Sequence, residues 1–420
     1  MYSGLCRTCT WTFCRPYSIQ FTYESRGNIS RKIETFSGET NTWDYTYDDD
    51  GQLLAVKENG VDVELYAFDV NGNRTSYEQP GAWNYAAEYD DQDRLVQMGG
   101  TVYQFNADGQ LTQRGTDLFQ YSAQGELLQA TVEEQTITYT YDGTGRRVAR
   151  TDSTGITQYL YGNQSNPFQL TAMRDPSGVL SNFYYDNVGS LFAVDKGGVR
   201  YYVAADRVGT PKVVTDATGA VVKFLEFDSF GMPTFDSNPD FNLPVGFAGG
   251  LTDDKTGLVR FGYRDYEPGT GRWTSKDPIF FGGGQGNLYV YVQNNPINHS
   301  DPKGLCVEDA CIVEGALAAA AACANNPRCA AAVAAAAAAT GAAITNAFSD
   351  WRKIPDVSNW PGIGDLFFPP EPPNADRCKQ VEEECYAECS ASEVGCKGSK
   401  YDQGTGFRKC VRECKAKHGC

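Results

Sequence analysis

From about Tyr23 onward one arrangement of aromatic, polar and apolar positions recurs: an aromatic residue, an acidic or polar one, two more residues, a glycine, one further residue and an apolar one. It stands at Tyr23-Glu24-Ser25-Arg26-Gly27-Asn28-Ile29, from Tyr47 to Leu53, from Phe68 to Arg74 and, with Asp93 in the glycine place, from Tyr89 to Leu95; it returns at Phe105, Tyr121 and Tyr141. Successive starts lie 24, 21, 21, 16, 16 and 20 residues apart, which fits one two-stranded hairpin per unit. Each unit reads as the aromatic end of a strand, a turn carrying Asp and Gly, and a return strand such as Gln52-Leu53-Leu54-Ala55-Val56 with partial alternation. One hairpin cannot bury its apolar face alone, so successive hairpins must pair edge to edge into a long sheet. The predicted fold is therefore mainly β, a β-solenoid or spiralling antiparallel sheet of hairpins over 23–250. A β-propeller or an extracellular β-array needs the same pattern.

Composition agrees: among 420 residues there are 25 Tyr, 22 Phe and 44 Gly but only 4 Met, which describes a turn-rich β-protein and not a helical enzyme. A net charge of -17 argues against nucleic acid or an anionic membrane as the partner of the chain as a whole, and the shell carries no nucleic-acid signal. There is no GxSxG, no P-loop and no pair of histidines for a metal, so no cofactor or metal is called for. Residues 1–22 hold Cys6, Cys9 and Cys14 without the basic and apolar runs of a secretory signal. Cys6-x-x-Cys9 is half a zinc site with no second half nearby. These residues read as a truncated remnant, and the chain as the C-terminal end of something larger.

The block 251–305 carries the candidate chemistry. Its stretch from Trp273 to Leu305 holds the same dipeptide near its start and near its end, Asp277-Pro278 and Asp301-Pro302. Asp then Pro, with Gly304 closing the second copy, suits a type I turn: carboxylate at the first position, Pro fixing φ at the second, Gly at the fourth. Alone, each copy is a corner. Between them Asn287-Leu288-Tyr289-Val290-Tyr291-Val292 alternates as a strand does, which would bring two carboxylates to neighbouring positions. Two such carboxylates cannot both be ionised cheaply and share a proton. His299, two residues before Asp301, is a loop histidine with solvation as its ordinary role.

The run GLVRFGYRDYEPGTGRWTSKDP, then NLYVYVQNNPIN, then DPKGL closely resembles the core-domain signature of the RHS/YD-repeat polymorphic toxins, and the upstream hairpin units resemble that family's YD repeats. The resemblance covers roughly residues 23–305. It implies a shell that encloses its own C-terminal tail as cargo and, as an intramolecular aspartyl autoprotease, cuts the chain between Leu305 and Cys306. Asp277 and Asp301 would be the catalytic pair and Arg264 the supporting arginine. The tail would then be released as a toxin in interbacterial competition, with an immunity protein and a target-cell molecule as partners, after secretion or delivery by a bacterial secretion system. One departure bears on cleavage: where that family has Gly at the fourth position of the first motif this chain has Phe280, which lacks glycine's freedom to take positive φ. The alternative function is a cell-surface or secreted structural or adhesive YD-repeat protein whose core block no longer cuts.

Beyond Leu305 the composition changes abruptly, as at a domain boundary, and eleven of the 14 Cys follow it, a density that reads as disulfides in an oxidising compartment. Residues 306–350 are Ala-rich and predict two helices broken at Asn325-Asn326-Pro327, a packed hairpin or, alternatively, a segment in membrane contact. Residues 351–375 form a Pro-rich linker. Over 376–420, Cys378, Cys385 and Cys389 share one helix face and Cys410 and Cys414 another, so antiparallel helices would ladder Cys389 with Cys410 and Cys385 with Cys414, with Cys378 and Cys420 closing the series. Zinc held by these cysteines is the rival reading.

Overall fold

The computed structural model describes residues 17–283 and 285–307. The expectations for Cys6, Cys9 and Cys14, for the Ala-rich segment, for the linker and for the cysteine ladder from Cys378 to Cys420 lie outside these residues.

The described chain is mainly β. Twenty-two strands, β1 (Tyr17–Tyr23) through β22 (Pro233–Asp236), make one sheet in which each strand pairs antiparallel with its neighbours in sequence. Among the described residues the sheet starts at Tyr17, ahead of the first repeat, because the segment before the first turn pairs along its whole length with the strand Ile29–Phe36. Among the described residues the only helical segments are three short 3-10 turns.

The unit that recurs in sequence is an Asp-capped turn. Between the strands Glu39–Tyr47 and Leu53–Glu58, the Asp48 N–H donates to the Gln52 carbonyl (3.0 Å) and the Gly51 N–H to the Asp48 carbonyl (3.2 Å). The Asp48 Oδ1 atom accepts from the backbone N–H groups of Asp50 (3.0 Å) and Gln52 (2.8 Å). Gly51 sits at φ 85, and the strand register slips beside the turn, between Thr46 and Tyr47. This is why the motif pairs Asp with Gly: a short acceptor holds two amides while the residue closing the turn takes the left-handed conformation. Asp69, Asp90 and Asp142 repeat the double acceptance, and Asp93, standing where glycine is expected, adopts φ 59. The aromatic residue before the turn has its own task. The hydroxyls of Tyr47, Tyr89, Tyr141, Tyr161 and Tyr185 donate to the carbonyls of Ile29, Arg74, Leu127, Arg147 and Leu170, tying one unit to the one before it.

Alternation buries one face of the sheet. In the strand Gln135–Tyr141, Ile137 and Tyr139 are buried while Thr138 and Thr140 are exposed. The buried faces form three clusters along the sheet, and each receives residues from the segment after Phe227: Phe230 joins Ile29, Leu53 and Tyr66, Leu258 joins Leu95, Leu127 and Ile137, and Phe241 and Val245 join Met173, Phe183 and Val214.

That later segment contains a second, small sheet of four strands: β23 (Leu251–Thr252), β24 (Val259–Phe261), β25 (Arg264–Glu267) and β26 (Arg272–Trp273). All its inner strands are buried, and its two faces differ in kind. One carries Val259, Phe261, Tyr266 and Trp273, which pack with Tyr291 and Phe247. The other carries Arg260, Asp265, Glu267 and Arg272: Arg260 pairs with Asp265 within the small sheet (2.8 Å), and the others reach the hairpins of the large sheet, Arg147–Asp265 at 2.8 Å, Arg114–Glu267 at 3.1 Å and Arg272 to Asn73 at 2.9 Å. The small sheet is thus docked by ion pairs, and Arg150 to Asp253 (2.9 Å) extends the row.

Candidate active site

Arg264 begins β25 on the aromatic face. It follows a two-residue turn, Gly262-Tyr263, that joins β24 to β25 with Phe261 opposite Arg264. The turn touches the second Asp-Pro loop directly, since the Tyr263 N–H donates to the Lys303 carbonyl (2.9 Å). Glycine is required on both sides of this contact. A Cβ on Gly262, at φ 43, would collide with the Lys303 carbonyl oxygen, and one on Gly304, at φ 64, would lie 2.5 Å from the Phe261 carbonyl oxygen.

Its guanidinium gathers both motifs. Nη2 lies 2.9 Å from Asp277 Oδ2 and 3.1 Å from Asp301 Oδ2. Nε donates to the Gly304 carbonyl (2.6 Å) and Nη1 to the Leu288 carbonyl (3.4 Å). The ring of Trp273 lies under the guanidinium at 4.0 Å, a cation–π contact that fixes its plane. All three charged residues are buried, at 2% exposure for Arg264 and Asp301 and 6% for Asp277. The structure therefore brings together the three residues singled out in sequence.

The residues on either side of the expected cut, Leu305 and Cys306, are there too. Asp301 Oδ1 accepts from the Leu305 N–H (2.9 Å), and the Cys306 backbone N–H also bonds this carboxyl. The Cys306 nitrogen is the amide nitrogen of the Leu305–Cys306 bond, so one carboxyl oxygen group sits on that peptide. Asp277 Oδ1 in turn accepts from the Ile279 N–H (2.9 Å), and the Asp277 N–H donates to the Leu288 carbonyl (3.1 Å). Cys306 is buried and disulfide-bonded.

Burial dominates the electrostatics. It pushes the Asp277 carboxyl up to about 6, against the pull of Arg264 and with a further push from Asp301. Burial also raises Asp301, against Arg264 and the Leu305 and Cys306 amides, and lowers Arg264 itself. One cation between two carboxyls leaves one of them uncompensated if both ionise, the condition for a shared proton.

Two expectations need correction. Phe280 does adopt the left-handed conformation, at φ 52, with its side chain pointing out at 60% exposure, so the first motif keeps its turn with a bulky residue at a cost of about 1–2 kcal/mol. The segment Asn287–Val292 is not a strand: Tyr289, Val290, Tyr291 and Val292 are all buried, and Val292, Gln293 and Asn294 take φ of 40, 57 and 57. The alternation of Tyr and Val reflects two buried sides of a turning segment, and Arg264, not a shared strand, unites the aspartates. His299 is half-buried, its N–H bonded to the Asn295 carbonyl (3.1 Å). The sequence reading missed Trp273 and Gly262, although both stand within the matched run, because neither carries an ionisable group.

Fold and site define a hairpin-repeat β-shell with a buried Asp–Arg–Asp group on its inserted sheet. The sequence profile of the teneurin YD-shell matches residues 10–297, and the chain belongs to that family. It is 37% identical over 302 residues to teneurin-3 of Danio rerio, covering 67% of this chain and 11% of that protein. To teneurin-4 of Homo sapiens it is 35% identical over 299 residues, 68% of this chain and 11% of the relative. The chain thus spans about a tenth of the length of these curated relatives. Among solved structures, a chain of the Photorhabdus luminescens Tc holotoxin pore superposes with a TM-score of 0.50 at 17% identity, covering 70% of this chain and 18% of that one. At that identity the likeness is of fold alone. What was read as the RHS/YD-repeat polymorphic toxin family is shown at the coarser level of the YD-repeat shell, and the curated relatives are teneurins.

Proposed function

We propose that the chain is part of a cell-surface or secreted YD-repeat protein whose primary role is structural or adhesive. The observation that carries this reading is the unbroken 22-stranded sheet, built almost wholly from turn-capped hairpins and matched along its length to the teneurin YD-shell. Surface biotinylation of cells expressing the protein tests it: labelled shell on intact cells or in the medium is expected, and protein found solely inside cells refutes it.

A second reading is favoured by Asp301 holding the amides of Leu305 and Cys306: the shell also cuts its own chain between them. A water placed against the Leu305 carbonyl would lose a proton to the ionised carboxyl, and the protonated one would hydrogen-bond the carbonyl oxygen. As the tetrahedral intermediate collapses, the C–N bond breaks and the Cys306 nitrogen, within reach of Asp301, takes up a proton. Arg264 positions the pair and the Gly304 carbonyl. Having the substrate in the same chain supplies about 7–11 kcal/mol of the barrier through proximity when the geometry is right. Release of the tail as a toxin, an immunity protein and delivery by a bacterial secretion system would all be consequences of this second reading. Reducing gels and intact-mass analysis test it, reduction being needed because Cys306 is disulfide-bonded. A fragment beginning at Cys306 is expected from the parent and full-length chain from Asp277→Asn and Asp301→Asn; an intact parent leaves the structural shell alone.

A further inference from the structure

The large sheet has an outer face as well as a buried one, and along one stretch of that face charge is missing. Residues directly opposite each other in an antiparallel pair share a face, so the register traces the outward positions from strand to strand. From β8 (Leu95–Met98) to β15 (Gly155–Leu160) the trace starts at Gln97, opposite Val102. It passes through Gln113, opposite both Gln104 and Leu118, and Thr138, opposite both Gln129 and Thr151, and ends with Gln158, opposite Ala149. Each outward, paired position on this path is Gln, Thr, Ala or an aliphatic residue, and none is Asp, Glu, Lys or Arg, in a chain of which 21% is charged. The sheet to either side is ordinary, with exposed ion pairs directly across neighbouring strands: Arg31–Asp44 (2.6 Å) and Lys57–Asp62 (3.6 Å) before it, Arg200–Asp195 after it.

A face without charge is where two copies of an acidic chain can meet. A contact elsewhere sets a net charge of -17 against itself and strips water from ionised side chains. The face also complements itself. A Gln amide carries donors and an acceptor and a Thr hydroxyl is both, so each group can find a partner in an identical patch, as a two-fold interface requires. A row of carboxylates cannot do this. Val102, Leu118 and Ile156, exposed at 45%, 49% and 54%, supply apolar area among the amides. The borders carry opposite signs: Glu88 stands opposite Gln97 on one side and Arg174 opposite Gln158 on the other. A two-fold axis along the central strands therefore lays the Glu88 border of one copy on the Arg174 border of its partner, whereas an axis across the strands lays like on like. Eight strands about 4.8 Å apart, each with about 15 Å of outward residues, give roughly 500 Å² per copy. The total of about 1,000 Å² is the size of a weak, reversible interface.

We propose that the outer face of β8 to β15 is the surface through which two copies of this chain associate, face to face with their strands roughly aligned, as two sheets pack. The inference gives the adhesive side of the proposed function its partner and rests on that reading. Sedimentation reads association and biotinylation reads location, so either can fail without the other.

The test is sedimentation equilibrium of the full chain, with covalent dimers excluded on nonreducing gels, for the parent and for Gln104→Glu/Gln120→Glu. Both of these positions are outward and exposed, and the substitutions are nearly isosteric. Gln92→Glu/Asn187→Asp, at exposed turn positions away from the face, adds the same two charges as a control. A monomer–dimer equilibrium is expected for the parent over about 10 to 200 μM chain, as an interface of this size allows. The dissociation constant should rise at least tenfold in the face variant and stay within about twofold in the control. A parent that stays monomeric across that range overturns the proposal, as does a dimer that the face variant leaves unchanged or that the control weakens equally. Should the double variant not fold, Leu118→Lys, in the middle of the face, is read in the same way.

Discussion

Asp277 makes the fold's stability depend on pH in an unusual direction. Its folded carboxyl is pushed up to about 6, first by burial, from an ordinary value of 3.8. A carboxyl raised on folding keeps its proton longer in the native state, so its stabilising protonation is complete below about 4 and is lost as pH rises through about 6. Between pH 5 and pH 7 this one group should cost the native state about 1 kcal/mol. Glu64, buried beside Asp228 and pushed up to about 7, acts with the same sign. Carboxyls held down act elsewhere: Asp152, pulled to about 2 by Thr154 and Arg150 despite the opposing effect of burial, loses its contribution well below pH 5. The parent protein should therefore be more stable in urea at pH 5 than at pH 7, and Asp277→Asn should shrink that difference by about 1 kcal/mol while leaving the Glu64 part. The variant's absolute stability is not the readout, since the amide also loses the 2.9 Å ion pair with Arg264 at every pH. A pH 5 to 7 difference unchanged by the substitution would refute the assignment of the raised carboxyl to Asp277.

Gly304→Ala should destabilise the fold by about 2 kcal/mol or more and prevent any cut at Leu305, because its φ of 64 and the approach of the Phe261 carbonyl leave no room for a Cβ; parent-like urea midpoints would contradict this. Arg147→Met should cost about 3 kcal/mol, read by urea unfolding, since Asp265 would lose one of its two buried partners while keeping Arg260. Outside the described residues, nonreducing peptide mapping should return Cys385 joined to Cys414 and Cys389 joined to Cys410; reduced or zinc-bound cysteines there would remove the helical ladder.

The repeating part of the fold was legible because each turn needs its residues for local reasons. Asp48 and Gly51 satisfy a turn whatever lies beyond it, so the motif can be read without tertiary knowledge. The tyrosine ladder was not legible in the same way, since each hydroxyl reaches a carbonyl in an earlier unit. In the core block the aspartates stood out as paired dipeptides, yet the reason they meet did not. It depends on one arginine from β25, on a tryptophan from β26 and on glycines at the contact between two loops, all tertiary facts. The segment Asn287–Val292 shows the opposite error, where period-two alternation was real but arose from burial on both sides of a turning chain.

Alternation within β24 and β25 links these parts of the molecule. Because successive side chains of a strand point to opposite faces, Arg264 and Asp265 cannot serve the same neighbour. Arg264 turns to the aspartates over Trp273, while Asp265 turns to Arg147 on the large sheet and Arg260 beside it. The backbone that places the candidate catalytic cation is thereby anchored by the charge next to it, and the anchor exists only when the hairpin-repeat sheet has formed far enough to present Arg147. A cut at Leu305 would accordingly follow assembly of the shell and not precede it. The order comes from a one-residue offset along β25.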